Sequence, residues 1–558
     1  MVVLRALLPA LLIISACATP LPGDFQALRF PSADPKELLC QLPILKKFLC
    51  PRSGNSSLYV KTPLGLAIGT PDDSGVRRFV VKYASASRWG PSTVASSWAL
   101  PTGAANETSL PPACPQPGVD PSVYNEDCLS MTIYVPPDLP LYSSAPTLMW
   151  IHGGSFIVGS ATGPGLDGSK LAVATNSIVA VVQYRLGALG FMSPDGTTNL
   201  AVKDIINALK FLNKVSPAFG GSYSKISVAG QSSGANMIRA LLAVPSASSL
   251  FKSAILQSDP MNYGFLAPAV QQTLQSSYNG LIGCDATNTT CLDELSLDAI
   301  INAQMNLFSN AVKLDASAGI AEPIRPVRDG SLITSPLDSS AAFPSVSKPI
   351  LVTTVLNEAG FAIYGQFQSP LPSTSFEPIC EASVGTERSA LIVDSPYYPA
   401  TPGPDGGESD ARSQLQIMGT DYMWKCSGWT FARNWVQNGG KAYVGEYQLG
   451  ASYAGNSAVS YCTEEGVVCH QDDIEIVFGT VSNPTTAQAA LITEMQQRYK
   501  AFIATGNPNV AGLSTWTAAT TSDVNALPLG GTDPVVVGAC DPGFWGHDVQ
   551  YDYQVYDI

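Results

Sequence analysis

A serine between two glycines is the residue best placed to do chemistry in this 558-residue chain. Residues 230–234 read Gly-Gln-Ser-Ser-Gly, a G-x-S-x-G pattern in which the central Ser232 can act as a nucleophile. The pattern alone is weak because 48 residues of the chain are glycine, so such a pentapeptide also arises by chance. Its flanking residues decide how it is interpreted.

The residues around Ser232 predict a strand before it and a helix after it. Ile226 and Val228 alternate with smaller or polar residues, which indicates a short strand that ends at Ala229. Residues 235–244 carry apolar side chains at helical spacing. A strand, a sharp turn and a helix around this pattern form a nucleophile elbow. The elbow holds its serine in a strained backbone conformation, with the hydroxyl at a helix N-terminus.

A serine hydroxyl is a weak nucleophile and needs a base that takes its proton. In proteins with such an elbow, an acid and then a histidine follow the serine along the chain. The chain has three histidines, and only His470 and His547 follow Ser232. For the acid, Glu358 comes just after the apolar run 350–355, and a carboxylate at the end of a strand lies where catalytic groups gather. A surface role for Glu358 is the alternative.

Further motifs resemble those of the type-B carboxylesterase/lipase family, the cholinesterase-like α/β-hydrolases, and in particular its fungal secreted branch. They occur in the family's order at residues 125–136, 150–156, 183–191, 199–221, 230–234 and 254–258. The resemblance covers residues 58–500. It implies an α/β fold, the α/β-hydrolase fold, with a large, mostly parallel central sheet flanked by helices on both faces. We expect residues 58–558 to form a single catalytic domain.

Apolar runs that alternate with helical patterns predict the same parallel sheet, covered by helices on both faces. These six runs are 147–151, 178–184, 226–230, 253–257, 350–355 and 442–447.

The resemblance also suggests roles for individual residues. Residues 466–479 are similar to the family's catalytic-histidine loop, which makes His470 the base and leaves His547 a structural or surface role. Glu358 stands where the family has its acid, although the family's D-E-G pattern reads Asn-Glu-Ala here. Gln231 stands where many relatives have glutamate, which removes a charge beside the nucleophile and weakens the case for a cationic substrate.

Residues 152–155, His-Gly-Gly-Ser, resemble the family's H-G-G-G loop. By this resemblance the backbone amides of Gly154, Ser155 and Ser233 form the oxyanion hole, whose donors must be in place before negative charge develops. Ser155 replaces the third glycine of the family's loop.

Residues 1–18 predict a secretory signal peptide, with Arg5, an apolar run too short to span a bilayer and an A-x-A site that ends at Ala18. Residues 19–57 form an N-terminal extension. We therefore expect a secreted, extracellular protein without a membrane or lipid anchor. Three N-x-S/T sequons are candidates for glycosylation: Asn55, Asn106 and Asn288.

Eleven of the twelve cysteines follow the signal peptide, so an oxidising compartment predicts disulfides and at least one unpaired thiol. The resemblance implies the pairs Cys114–Cys128 and Cys284–Cys291. The pairing of the other cysteines stays open: Cys40, Cys50, Cys380, Cys426, Cys462, Cys469 and Cys540.

A net charge of −14 argues against nucleic acid and anionic membranes as partners, since both are bound through clusters of lysine and arginine. The cysteine and histidine spacings form no zinc pattern, and neither a metal nor a cofactor is expected. The expected partner is a small-molecule ester, and the oligomeric state stays open.

These observations predict a secreted serine carboxylesterase that hydrolyses small or medium soluble esters through an acyl-enzyme. A true lipase that acts on long-chain acylglycerols is the first alternative, but the Cys114–Cys128 segment is too short and polar for an interfacial lid. A non-catalytic binding protein of the same fold is the second alternative. It is disfavoured because Ser232, Glu358 and His470 are all present.

Overall fold

The computed structural model describes residues 58–141, 143–339, 341–400 and 409–557. The predicted signal peptide, the N-terminal extension, Asn55, Cys40 and Cys50 lie outside the described residues.

The described chain alternates strands and helices over most of its length. The strands are β1 Tyr59–Thr62, β2 Gly65–Ile68, β3 Thr70–Pro71, β4 Arg77–Lys82, β5 Ala84–Ser85, β6 Thr93–Val94, β7 Ser130–Val135, β8 Ala145–Ile151, β9 Ile178–Val182, β10 Gly221–Gln231, β11 Ser253–Gln257, β12 Pro349–Val355, β13 Lys441–Tyr447 and β14 Leu527–Leu529. The helices are α1 Ser169–Thr175, α2 Gly187–Phe191, α3 Leu200–Val215, α4 Ser233–Leu242, α5 Pro268–Ile282, α6 Thr289–Glu294, α7 Leu297–Leu314, α8 Gly360–Gln366, α9 Phe376–Val384, α10 Thr386–Val393, α11 Ala411–Thr420, α12 Cys426–Gln437, α13 Ile474–Phe478, α14 Thr486–Thr505 and α15 Asp552–Tyr556.

Ten of these strands form one sheet in the order β14-β13-β12-β11-β10-β8-β9-β7-β4-β3. The seven strands from β14 to β9 are parallel to one another, and β7, β4 and β3 add an antiparallel edge. All six strands that the apolar runs predict are present, and their bounds differ by at most two residues except for β10, which begins at Gly221 and not at residue 226. The prediction of a large, mostly parallel α/β sheet is confirmed.

Helices cover both faces of the sheet. Met149 and Ile151 of β8 belong to one hydrophobic core, whereas Leu148 and Trp150 belong to a second. The first core also holds α3 and α4, and the second holds α1 and α14. Because successive side chains of a strand point to opposite faces, strands that are apolar throughout bury both faces of the sheet.

Disulfides join Cys114 to Cys128 and Cys284 to Cys291, as the resemblance implies. Two further bridges settle pairings that the sequence left open, and they are Cys426–Cys540 and Cys462–Cys469. Cys380 is buried with a free thiol. Within the described ranges, no helix combines the length and the apolar character that a membrane span requires.

Candidate active site

The turn between β10 and α4 holds Ser232 in a conformation that side chains rarely adopt, with φ 59° and ψ −131°. Its neighbours must be glycines, because a Cβ atom on Gly230 or Gly234 would lie 2.7 Å or 2.2 Å from the carbonyl oxygen of Ile151. The backbone N–H of Ser232 donates a 2.8 Å hydrogen bond to the carbonyl of Gln257 on the adjacent strand. The structure thus has the strained elbow that the sequence predicts.

The loops after β12 and β13 bring Glu358 and His470 together. His470 Nδ1 lies 2.6 Å from Glu358 Oε2. The second carboxylate oxygen of Glu358 accepts a 2.9 Å hydrogen bond from the backbone N–H of Val355, and the residue is 1% exposed. Two hydrogen bonds between Asn357 and Val468 join the two loops. In the neutral imidazole, this buried carboxylate favours the tautomer with the proton on Nδ1 and with Nε2 as an acceptor.

Gln231 connects this pair to the elbow, because its Nε2 atom lies 3.1 Å from His470 Nε2. With Nδ1 donating to Glu358, the Gln231 amide donates to the free lone pair of the imidazole. The Gln231 oxygen is buried and has no partner among the described residues. The sequence singled out Gln231 only for the charge it lacks, and its contact with the candidate base was missed.

His547 lies elsewhere, on the surface. Its side chain is 74% exposed and contacts the neighbouring Asp548. This position agrees with the surface role that was expected for it.

Several carboxyl groups surround His470 and set its charge. Burial lowers the pKa of His470, but Glu358, Asp473 and Glu322 outweigh this effect, so that the pKa is raised above its ordinary value. Burial also raises the pKa of Asp473 to about 7, although Gln257 donates a hydrogen bond to it. The ring of Trp424 lies 5.2 Å from the imidazole, centroid to centroid.

The loop after β8 lies against the elbow serine, since a Cβ atom on Gly153 would lie 2.9 Å from the Cβ of Ser232. Gly154 and Ser155 both have positive φ, 121° and 49°. In the described part of the chain, no group accepts a hydrogen bond from the backbone N–H of Gly154, Ser155 or Ser233. That these three amides form the oxyanion hole stays a prediction, and their lack of an acceptor is compatible with it.

His152 supports this loop through its contacts with Tyr184. Its ring stacks on Tyr184 at 4.6 Å, and the hydroxyl of Tyr184 donates to the His152 carbonyl at 2.8 Å. Burial lowers the pKa of His152 to about 4, so its imidazole is neutral near pH 7.

One group of potential metal ligands occurs among the described residues, formed by Asp421, Cys426 and Cys540. The two cysteines are joined in a disulfide and offer no thiolate to a metal.

The chain is similar to known esterases over most of its length. Residues 57–535 match the model of the carboxylesterase family. Carboxylesterase 1E of Rattus norvegicus is 25% identical over 466 residues, which cover 77% of this chain and 81% of that protein. Pyrethroid hydrolase Ces2a of Mus musculus is 27% identical over 446 residues, which cover 74% of this chain and 76% of that protein. Among solved structures, a PNB esterase has a TM-score of 0.69 at 23% identity and covers 85% of this chain and 96% of its own.

The sheet, the elbow and these similarities define an α/β-hydrolase. The chain belongs to the carboxylesterase family and is a carboxylic-ester hydrolase. Its assignment to the fungal branch stays a prediction.

Proposed function

We propose that the protein is a secreted serine esterase that hydrolyses small or medium soluble carboxylic esters through an acyl-enzyme. Ser232 is the nucleophile, His470 is the general base and Glu358 orients the base. The observation that carries the proposal is the 2.6 Å contact between His470 Nδ1 and the buried Glu358 carboxylate, next to a serine in an elbow conformation.

In the first half of the reaction, Ser232 Oγ attacks the ester carbonyl carbon while His470 Nε2 takes the hydroxyl proton. The carbonyl oxygen becomes an oxyanion that accepts hydrogen bonds from the amides of Gly154, Ser155 and Ser233. The C–O bond to the alcohol then breaks, and His470 returns the proton to the leaving alcohol. Water attacks the acyl-enzyme by the same route and releases the acid and free Ser232.

The hydrogen bond from Gln231 to His470 must break during this cycle so that His470 can accept the proton of Ser232. The free lone pair on His470 Nε2 accepts from the Gln231 amide, and the same lone pair has to accept the Ser232 proton. We infer that Gln231 holds the imidazole next to the elbow until a substrate is bound.

The raised pKa of His470 gives the pH dependence a definite sign. The base works only as the neutral imidazole, and a raised pKa keeps it protonated to a higher pH than usual. We therefore expect kcat/KM to fall as the pH drops, with a midpoint above about 6.5, the ordinary pKa of histidine. Initial rates on a soluble ester between pH 5 and 9 measure this midpoint.

Gln231→Glu offers a matched variant for this profile, because it places a carboxylate beside His470 Nε2 without a change in side-chain size. We expect the midpoint to move upward by about one pH unit or more, as for a histidine that gains a charged partner. A wild-type midpoint near pH 5, or a downward shift in the variant, would contradict the assignment of His470 as base.

The structure supports small, soluble substrates through the segment between Cys114 and Cys128. Gln116 donates to the carbonyl of Gly159 at 2.8 Å and accepts from its N–H at 2.9 Å. Ala113 exchanges backbone hydrogen bonds with Val123 and Asn125 across the segment. A segment closed by a disulfide and fixed at both ends is a rigid rim and not an interfacial flap.

We expect short-chain esters to be preferred and the rate to show no jump when the substrate exceeds its solubility. The measurement is the initial rate against tributyrin concentration across saturation, with p-nitrophenyl esters from acetate to palmitate for chain length. A sharp rise when droplets form would favour the lipase alternative and a lid elsewhere, first of all between residues 375 and 415.

Two features support secretion as part of the proposal. Asn106 and Asn288 are exposed, so both described sequons are accessible to glycosylation. The four disulfides suit an oxidising compartment.

A further inference from the structure

Glu322 is a buried carboxyl group beside the active site that the proposed mechanism does not use. The residue is 4% exposed, and its Oε2 atom has no hydrogen-bond partner among the described residues. An unpaired acceptor in a buried position is costly because it has lost its water without gaining a partner. A ligand that supplies the missing donor would remove this cost.

The neighbouring Arg325 does not satisfy this carboxyl group, although it follows only three residues later. Its guanidinium is fully buried and donates to backbone carbonyls. These carbonyls belong to Tyr263, Gly264, Ser317, Ala318 and Glu322 itself. Arg325 thus fixes the backbone of this segment and leaves Glu322 Oε2 without a donor among the described residues.

The electrostatic neighbours of Glu322 place it on the oxyanion side of the elbow. Burial raises the pKa of Glu322 to about 7, whereas Arg325, the charge of His470 and the Ser155 hydroxyl lower it. Asp259 raises it further. Ser155 belongs to the loop after β8 that supplies the proposed oxyanion donors, so the carboxyl group lies next to this loop.

In the proposed mechanism the leaving alcohol lies beside His470, which gives it a proton, and the acyl carbonyl accepts from the amides of Gly154 and Ser155. A chain attached to that carbonyl would pass the Ser155 side chain, with which Glu322 interacts.

We propose that Glu322 is a specificity-determining residue that selects esters whose acyl chain carries a hydroxyl group near the carbonyl. The inference rests on the proposed function and deepens it. The acyl hydroxyl donates to Glu322 Oε2 and satisfies the buried acceptor, whereas a purely aliphatic acyl chain leaves it unpaired. A site that hydrogen-bonds a substrate hydroxyl discriminates strongly against the analogue that lacks it. Binding of that analogue would leave the buried polar group of the site without a partner.

A neutral hydroxyl fits this position better than an ammonium group does. The guanidinium group of Arg325 is buried, and its positive charge lowers the pKa of Glu322. That charge repels an ammonium group but does not oppose a neutral donor.

The test compares methyl butyrate with methyl 2-hydroxybutyrate and methyl 3-hydroxybutyrate by acid release at constant pH. The enzymes are the wild type, Glu322→Leu, Glu322→Gln and, as a control, Glu387→Gln, which alters an exposed glutamate on α10. The quantity is the ratio of kcat/KM for a hydroxy ester to that for butyrate. Both rates of this ratio come from the same preparation, so the ratio does not depend on the folded fraction of the enzyme. Because the ratio is compared between variants, differences in the intrinsic reactivity of the esters cancel.

We expect the ratio for at least one hydroxy ester to fall by about 10- to 100-fold in Glu322→Leu, the loss typical of a hydrogen bond to a charged group. The rate on butyrate should rise in the same variant, because the apolar side chain suits an aliphatic acyl group. Glu322→Gln keeps an acceptor oxygen and should show a smaller fall, and it serves as the test if the leucine variant does not fold. Glu387→Gln should keep the wild-type ratio.

Unchanged ratios in both Glu322 variants, with all three esters still hydrolysed, would overturn the inference and leave the esterase function intact. Failure of the wild type to hydrolyse any ester would overturn both. A fall in the ratio for Glu387→Gln would also contradict the role of Glu322, since that residue lies on the surface.

Discussion

Ser232→Ala should lower kcat/KM for ester hydrolysis by about 10⁴-fold or more, the scale seen when the nucleophile of a serine hydrolase is removed. The substitution takes away the only oxygen in the elbow that the mechanism uses to attack the carbonyl. The backbone strain at φ 59° is the same for alanine as for serine, so the thermal unfolding temperature should change little. Initial rates on a short soluble ester and a circular dichroism melt measure the two effects.

Ser249→Ala is the matched control for this loss. Ser249 is exposed in the 3₁₀ turn Pro245–Leu250 that follows α4, so its hydroxyl can be removed without touching the site. Wild-type rates are expected for the control. A Ser232→Ala protein that retained a tenth of the activity would show that another group attacks the ester.

His470→Ala should lose activity by about 10³-fold or more, because no other group then takes the proton from Ser232. The variant also leaves the buried carboxylate of Glu358 without its 2.6 Å partner, so some loss of stability is expected. The rate is therefore normalised to the folded fraction from a chemical unfolding curve.

His547→Ala is the matched control, since it removes the other histidine that follows the elbow. Its side chain lies on the surface and has Asp548 as its only hydrogen-bond partner among the described residues, so most of the activity should remain. The opposite result, with His547→Ala inactive and His470→Ala active, would move the base to the C-terminal segment.

The parts of the site that follow from local pattern could be read from the sequence. The elbow depends on a strand, two glycines and a helix that are contiguous in the chain, and it is present at Ser232. Glu358 was found because it follows a recognisable buried strand, whose end lies where the catalytic groups gather. His470 needed the family resemblance, since order along the chain also allowed His547.

The parts that depend on long-range packing could not be read from the sequence. Gln231 was placed beside Ser232 but not against His470, a residue 239 positions away. Glu322 and Arg325 lie in residues 285–345, a stretch in which few motifs match the family. Their roles depend on the backbone carbonyls to which the Arg325 guanidinium donates, and these contacts leave no periodic pattern in the sequence. The Cys426–Cys540 bridge, whose ends are 114 positions apart in the sequence, was open for the same reason.

The most direct test of the central claim is the site of covalent labelling by a p-nitrophenyl phosphonate ester. The phosphonate forms a bond to the activated oxygen and releases p-nitrophenol, and it resembles the tetrahedral intermediate. Intact-mass analysis should show one adduct per chain, peptide mapping should place it on Ser232, and activity should fall in proportion to labelling. A label on Ser233 or another residue, or complete labelling with activity retained, would contradict the assignment of Ser232 as the nucleophile.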